Sequence, residues 1–177
     1  YRHLSKYRQK LLNRNKEETG KRYEWYALQR YASDYYPEFE KEKIVWQRVS
    51  KEQRFSIVDK GFYCEATTHL ITGNNLRFLL GVLNSKMFGF AFYRFYMGGG
   101  IEGEIKGEFI GRFPIPPLTP QNKHIADRIE ELVDQIIQKK KQNGCGADTS
   151  DLEEQIDQLV YELYGLTKEE IKIVEEG

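Results

Sequence analysis

Two apolar seams that follow a proline-rich break constrain this sequence most. Ile125, Ile129, Leu132 and Ile136 recur at spacings of four, three and four, and Leu152, Ile156, Leu159 and Leu163 repeat the pattern after a loop at Gly144 to Ala147. A stripe of that width belongs to an α-helix with one face to bury, and two such helices joined by a short loop bury their faces as an antiparallel hairpin. The end signals agree. Thr119 is placed to cap the first helix with Pro120 at its first position, Ser150-x-x-Glu153 forms a capping box for the second, and Thr167-x-x-Glu170 caps a last short helix carrying Ile171 and Val174. Lys139 to Lys141 followed by Gly144 closes the first helix, and Gly165 closes the second.

The break itself, Phe113-Pro114-Ile115-Pro116-Pro117, is stiff because each proline fixes its own φ and biases the preceding residue toward extended backbone. It divides the chain into residues 1–112 and residues 113–177. The earlier part carries strand signals in Lys43 to Val49, Phe55 to Asp59 and, past the Lys60-Gly61 turn, Phe62 to Ala66, which predict an antiparallel meander. Asn74 and Asn75 then introduce a helix in which Leu76, Leu79, Leu80, Leu83, Met87, Phe88, Phe90, Ala91 and Phe95 cover more than one face, as a buried helix requires. Gly98-Gly99-Gly100 ends it, and Phe109 to Phe113 reads as a returning strand. At the start of the chain, Leu4, Tyr7, Leu11 and Leu12 predict a short amphipathic helix before a loop at Asn13 to Gly20. The expected fold is α+β: a small antiparallel sheet, a buried central helix and a C-terminal antiparallel helical hairpin.

Charge is unevenly divided. The net charge is zero, yet residues 1–60 hold 15 Lys and Arg against 9 Asp and Glu, whereas residues 113–177 hold 7 against 14. A basic first part favours a polyanion partner, and an acidic last part disfavours one there. Cys64 and Cys145 stand far apart without metal-ligand or redox spacing, which fits a reducing cytosol, and no apolar run reaches the ~20 residues that span a bilayer. The expectation is a cytoplasmic protein with no membrane partner. Tyr1 opens the chain in mid-pattern, as in a fragment of a longer polypeptide.

Catalytic signatures are weak. The sequence has no phosphate loop, its three histidines are isolated, and no Ser or Cys sits in a nucleophile elbow. The nearest approach to a metal-dependent nuclease is Asp59 with Glu104-Ile105-Lys106, a combination that charged chains produce by chance. Neither a catalytic residue nor a metal ligand is expected. What stands out is the interleaving of basic and amide side chains with aromatics: Lys21, Arg22, Tyr23, Trp25, Tyr26, Gln29 and Arg30, then Trp46, Gln47, Arg48, Lys51, Gln53 and Arg54. Lysine and arginine neutralise phosphates, while arginine on guanine and glutamine on adenine make the paired groove contacts that carry sequence information. The tryptophans are read as core, and Lys21, Arg22, Arg30, Gln47, Arg48, Lys51, Arg54 and, beside the glycine-rich loop, Lys106 as the DNA-binding residues.

Several of these segments stand in an order that resembles the TaqI-like C-terminal specificity domain of type IIG restriction enzymes and adenine-N6 DNA methyltransferases. They are WY-x-LQR at Trp25 to Arg30, KIVWQRV at Lys43 to Val49, LLGVLNSKMFGF at Leu79 to Phe90, the glycine-rich loop and FPIPPL at Phe113 to Leu118, with VYELYGLTKEEI from Val160 like the tail of such enzymes. The resemblance covers about residues 20 to 165. It implies recognition of double-stranded DNA without catalysis or a cofactor in this stretch. S-adenosylmethionine and Mg are then expected in the parent enzyme, where a separate catalytic methyltransferase domain of the same polypeptide flips the target adenine through an Asn-Pro-Pro-Tyr type motif that this chain lacks. The hairpin resembles the spacer helices of type I specificity subunits, and its acidity suits protein contacts with the other domains or with a second copy in a homodimer. A protein-protein adaptor working through the hairpin is the alternative reading.

Overall fold

The computed structural model describes residues 1–13, 24–27, 35–50, 53–96 and 104–177. They fall into two units, 1–37 and 38–177.

In the first unit the basic N-terminal segment forms two short helices, α1 (Arg2–Ser5) and α2 (Arg8–Leu12), rather than one. Neither helix buries a residue, and Leu4, Tyr7 and Leu12 remain exposed. The packing is aromatic. Tyr1, Trp25 and Tyr26 meet edge to face with ring centroids 5.4 to 5.6 Å apart, and the Arg8 guanidinium lies 5.5 Å from the Trp25 ring. Trp25 is buried as expected of a core residue, while Tyr26 is not. The expected loop beyond Asn13 and the second half of the WY-x-LQR segment, residues 28–30, lie outside the described residues.

The second unit is the α+β body. It opens within a short helix, α3 (Tyr36–Phe39), whose last two residues belong to it, and continues into three antiparallel strands, β1 (Lys43–Gln47), β2 (Ser56–Val58) and β3 (Thr68–Ile71). Two expectations are corrected here. The strand order is β2-β1-β3, so the sheet is not a meander: β1 is central and pairs on both sides. The third strand is Thr68–Ile71, not Phe62 to Ala66. Phe62 and Tyr63 are exposed, and Tyr63 stacks on Phe39 at 5.0 Å and donates its hydroxyl to Glu40. Strand propensity is therefore present at residues 62–66, but the paired edge of β1 is taken by a later segment whose Ile71 and His69 lie opposite Ile44 and Trp46.

Ile44 and Trp46 alternate along β1 onto the buried face and meet the central helix α4 (Leu76–Asn84), which buries Leu76, Phe78, Leu80, Gly81, Val82 and Leu83. The single long helix expected from residue 76 to residue 95 is interrupted. Ser85 takes an extended backbone (ψ 153°), donates its hydroxyl to the Val82 carbonyl at 2.7 Å and accepts from Phe88 N–H, ending α4 and capping α5 (Lys86–Ala91), which runs into a π-helical turn at Phe92–Tyr96. The break turns Phe88 and Phe92, both fully buried, into an aromatic cluster with Phe55 and Phe113.

Phe109 to Phe113 is not a strand. Residues Gly107–Ile110 form α6, which lets Ile110 and Phe113, three apart, enter the same core. The helices after the prolines are α7 (Lys123–Asn143), α8 (Ser150–Tyr164) and α9 (Lys168–Glu176). Helix α7 starts three residues later than Pro120 suggests, because the Asn122 side chain accepts from Thr119 N–H and donates to the Pro117 carbonyl, folding residues 117–122 into a turn. Thr149, not Ser150, occupies the cap position of α8, and its buried hydroxyl meets the Glu153 carboxylate at 2.6 Å. The capping box at Thr167 and Glu170 forms as expected.

The two seams close against each other and against α4. Ile125, Ile129, Leu132 and Ile156 are buried in the same core as Val82 and Leu83. Gly81 permits this approach: a Cβ there would stand 2.5 Å from Ile129 Cγ2 and 3.3 Å from Val133 Cγ2. Residues 38–112 and 113–177 thus share one interior. Helices α7 and α8 also line an open groove that is polar apart from Leu152, with Gln135, Gln138, Lys139, Gln142, Asp151 and Gln155 around it.

Candidate nucleic-acid interface

At the C-terminal end of β1 the central strand runs on past its last regular residue. Arg48 N–H donates to the Thr67 carbonyl at 2.9 Å, and the Arg48 carbonyl accepts from Ile105 N–H at 2.7 Å. Val49 bridges Glu104 in antiparallel sense. The segment that returns from the glycine-rich loop is therefore pinned to the end of the central strand. Trp46 completes the attachment by donating its indole N–H to the Ile105 carbonyl at 2.8 Å, while its ring stacks on His69 of β3 at 5.3 Å.

This arrangement collects three of the sequence-predicted residues. Glu104, with only 7% of its side chain exposed, accepts from Arg48 Nε at 2.8 Å and Arg48 Nη2 at 2.7 Å through Oε1, and from Lys106 Nζ at 3.1 Å through Oε2. The hydrogen bonds from Arg48 and Lys106 hold its carboxyl below the usual glutamate range, which keeps it ionised and both cations attached. Arg48 leaves 52% of its side chain in solvent. Gln47 is exposed beside it, its amide 3.4 Å from the Thr68 hydroxyl. Gln47, Arg48, Val49, Thr67 and Glu104 line an open depression of about 400 Å³. Burial, and then the charge of Arg48, push the His69 imidazole below its ordinary pKa, with Glu104 acting in the opposite direction.

The remaining predicted residues are placed differently. Arg54 is exposed on the segment that enters β2, and Lys21, Arg22, Arg30 and Lys51 lie outside the described residues. Sequence reasoning missed Glu104 as the centre of the site, treating it only as a nuclease carboxylate. The spacing Glu104-x-Lys106 after a glycine run was the available signal, and its partner Arg48 lies 56 residues earlier. The nuclease trio does not assemble. Asp59 follows Val58, which pairs with Lys43 at the first residue of β1, whereas Glu104 bridges Val49 beyond the last. Six residues of extended strand separate the two carboxylates by about 20 Å. Among the described residues no group of three His, Cys, Asp or Glu side chains is gathered as a metal would need.

Residues 104–106 thus lie against the end of the central strand, where Arg48 and Lys106 share the Glu104 carboxylate and Gln47 stands exposed beside them. Residues 2–115 match the TaqI-like C-terminal specificity domain, and the chain belongs to that family. The matched stretch includes the whole sheet, α4, α5 and the rim, and ends before α7. No curated protein matches the chain. The family's task is DNA target recognition in restriction-modification systems, and a specificity domain is in itself non-catalytic. Among the described residues no helix is long and apolar enough to cross a membrane.

Proposed function

We propose that this chain reads the sequence of duplex DNA as the specificity domain of a cytoplasmic adenine-N6 methyltransferase of a restriction-modification system. The observation that carries the reading is the rim at the end of β1, where Gln47, Arg48 and Lys106 stand together around the buried Glu104 carboxylate. Groove readout needs donors and acceptors fixed on a rigid element, and the central strand of a sheet is such an element. The catalytic methyltransferase domain of the same polypeptide would hold the other side of the duplex and bind S-adenosylmethionine, with Mg needed only in a parent that also cleaves. Outside the rim, basic side chains of the first 60 residues would neutralise phosphates.

Duplex binding by the full-length protein, followed from about 50 to 200 mM salt, tests the reading. A protein that closes several phosphate contacts loses affinity on the order of a thousand-fold as salt rises over that range, because the counterions released on binding are more costly to release. Affinity that is absent at low salt, or insensitive to salt, would favour an adaptor working through the hairpin and would end the DNA assignment.

A further inference from the structure

Glu104 meets Arg48 on one particular edge of the guanidinium. Its Oε1 accepts from both Nε and Nη2, the side-on edge, at 2.8 and 2.7 Å. A guanidinium carries five N–H groups, so this leaves both hydrogens of Nη1 and one of Nη2, the end-on edge, directed away from the carboxylate. Among the described residues nothing bonds that edge, and half of the side chain is in solvent. The remaining Glu104 oxygen is held by Lys106, so the carboxylate cannot swing away without breaking a second ion pair. It is fixed in turn by the backbone pairing of Val49 with Glu104 and by the Trp46 bond to the next carbonyl.

From this geometry we infer that Arg48 reads a guanine through its end-on edge, and that Glu104 is the positioning residue that aims it. The inference rests on the DNA reading given above and goes further by assigning a base and a residue that sets specificity without touching DNA. Two parallel N–H groups match the O6 and N7 acceptors of guanine in the major groove, whereas adenine offers a donor where O6 would stand. A phosphate would accept the same edge, but it would not need the arginine to be held rigidly by a buried acid. Glu104 also cancels the charge of one cation at the rim, which lessens the pull of Arg48 toward phosphates and leaves recognition to geometry.

The test is selection of bound duplexes from a random pool by the full-length protein, by Arg48→Lys, and by Glu104→Ala and Glu104→Gln, with thermal unfolding of each variant as a check on folding. Wild type is expected to require guanine at one position. Arg48→Lys keeps the charge but not the paired edge, and should lose that preference by about 5- to 150-fold at the one position while total duplex binding holds. Glu104→Ala should relax the same position, and Glu104→Gln, which keeps an acceptor for the arginine, should relax it less. A guanine preference that survives Arg48→Lys overturns the inference and makes Arg48 a phosphate contact, while the DNA reading stands. A wild-type protein that selects no sequence overturns both. Glu104 variants that lose preference at every position, or none, remove its positioning role.

Discussion

Trp46 and Ile105, 59 residues apart in sequence, are joined by an indole N–H to carbonyl hydrogen bond at 2.8 Å in the interior of the α+β unit. That bond ties Ile105 to the central strand, and the cluster of Arg48, Glu104 and Lys106 is built on the tie. Trp46→Phe keeps an aromatic ring but leaves the buried Ile105 carbonyl without this donor. The expected loss is about 1–3 kcal/mol of folding stability, read by urea unfolding, together with a weaker base preference at the position that Arg48 is proposed to read. Unfolding at the wild-type urea midpoint would show that the bond contributes nothing.

Gly81→Ala should destabilise the protein even though alanine favours helices by about 1 kcal/mol over glycine. The new methyl would enter the space of Ile129 Cγ2, and overpacking of a closed interior costs about 1–3 kcal/mol. Chemical denaturation checks the sign. A variant as stable as wild type would mean that α7 can draw back from α4 freely, contrary to the shared core described here.

Asp157 on α8 is buried, and burial pushes its carboxyl above the ordinary 3.8, against the opposing pull of the Lys86 backbone N–H at 2.8 Å and of the Lys86 ammonium. Below 3.8 the group is protonated whether the chain is folded or unfolded. As pH rises above 3.8 the unfolded chain gives up its proton first, so the contribution of Asp157 to stability falls until the folded group ionises as well. Asp157→Asn keeps an acceptor for Lys86 N–H and removes the titration. Its stability relative to wild type should improve across that window and then level off. Parallel stability profiles for the two proteins between pH 3 and 7 would contradict the assignment.

His69 is expected to titrate below 6.5 in the folded protein. Its Nε2 is buried without a hydrogen-bond partner among the described residues, and burial followed by the nearby Arg48 charge opposes protonation. The neutral ring therefore contributes stability that is present above 6.5 and is lost as pH falls from 6.5 toward the lowered folded value. An imidazole NMR titration gives the midpoint directly, and a value at or above 6.5 would mean that Glu104 outweighs burial and Arg48.

The sequence by itself determined the elements whose signals are local. The paired seams of α7 and α8, the cap at Thr167, the β1 run from Lys43 and the burial of Trp25 and Trp46 all follow from periodicity, capping chemistry and side-chain character within a few residues. The tertiary structure alone decided which segments pair and what surrounds each charge. Residues 62–66 have the propensity of a strand, yet 68–71 takes the edge of β1, and residues 109–113 read as a strand but coil so that Ile110 and Phe113 reach one core. The rim is the extreme case: Arg48 and Glu104 are ordinary charged residues in the sequence, and their pairing exists only because the sheet and the Trp46 bond bring residue 104 back to the end of β1. Contacts across such separations depend on how a whole interior packs, which no window of neighbouring residues encodes.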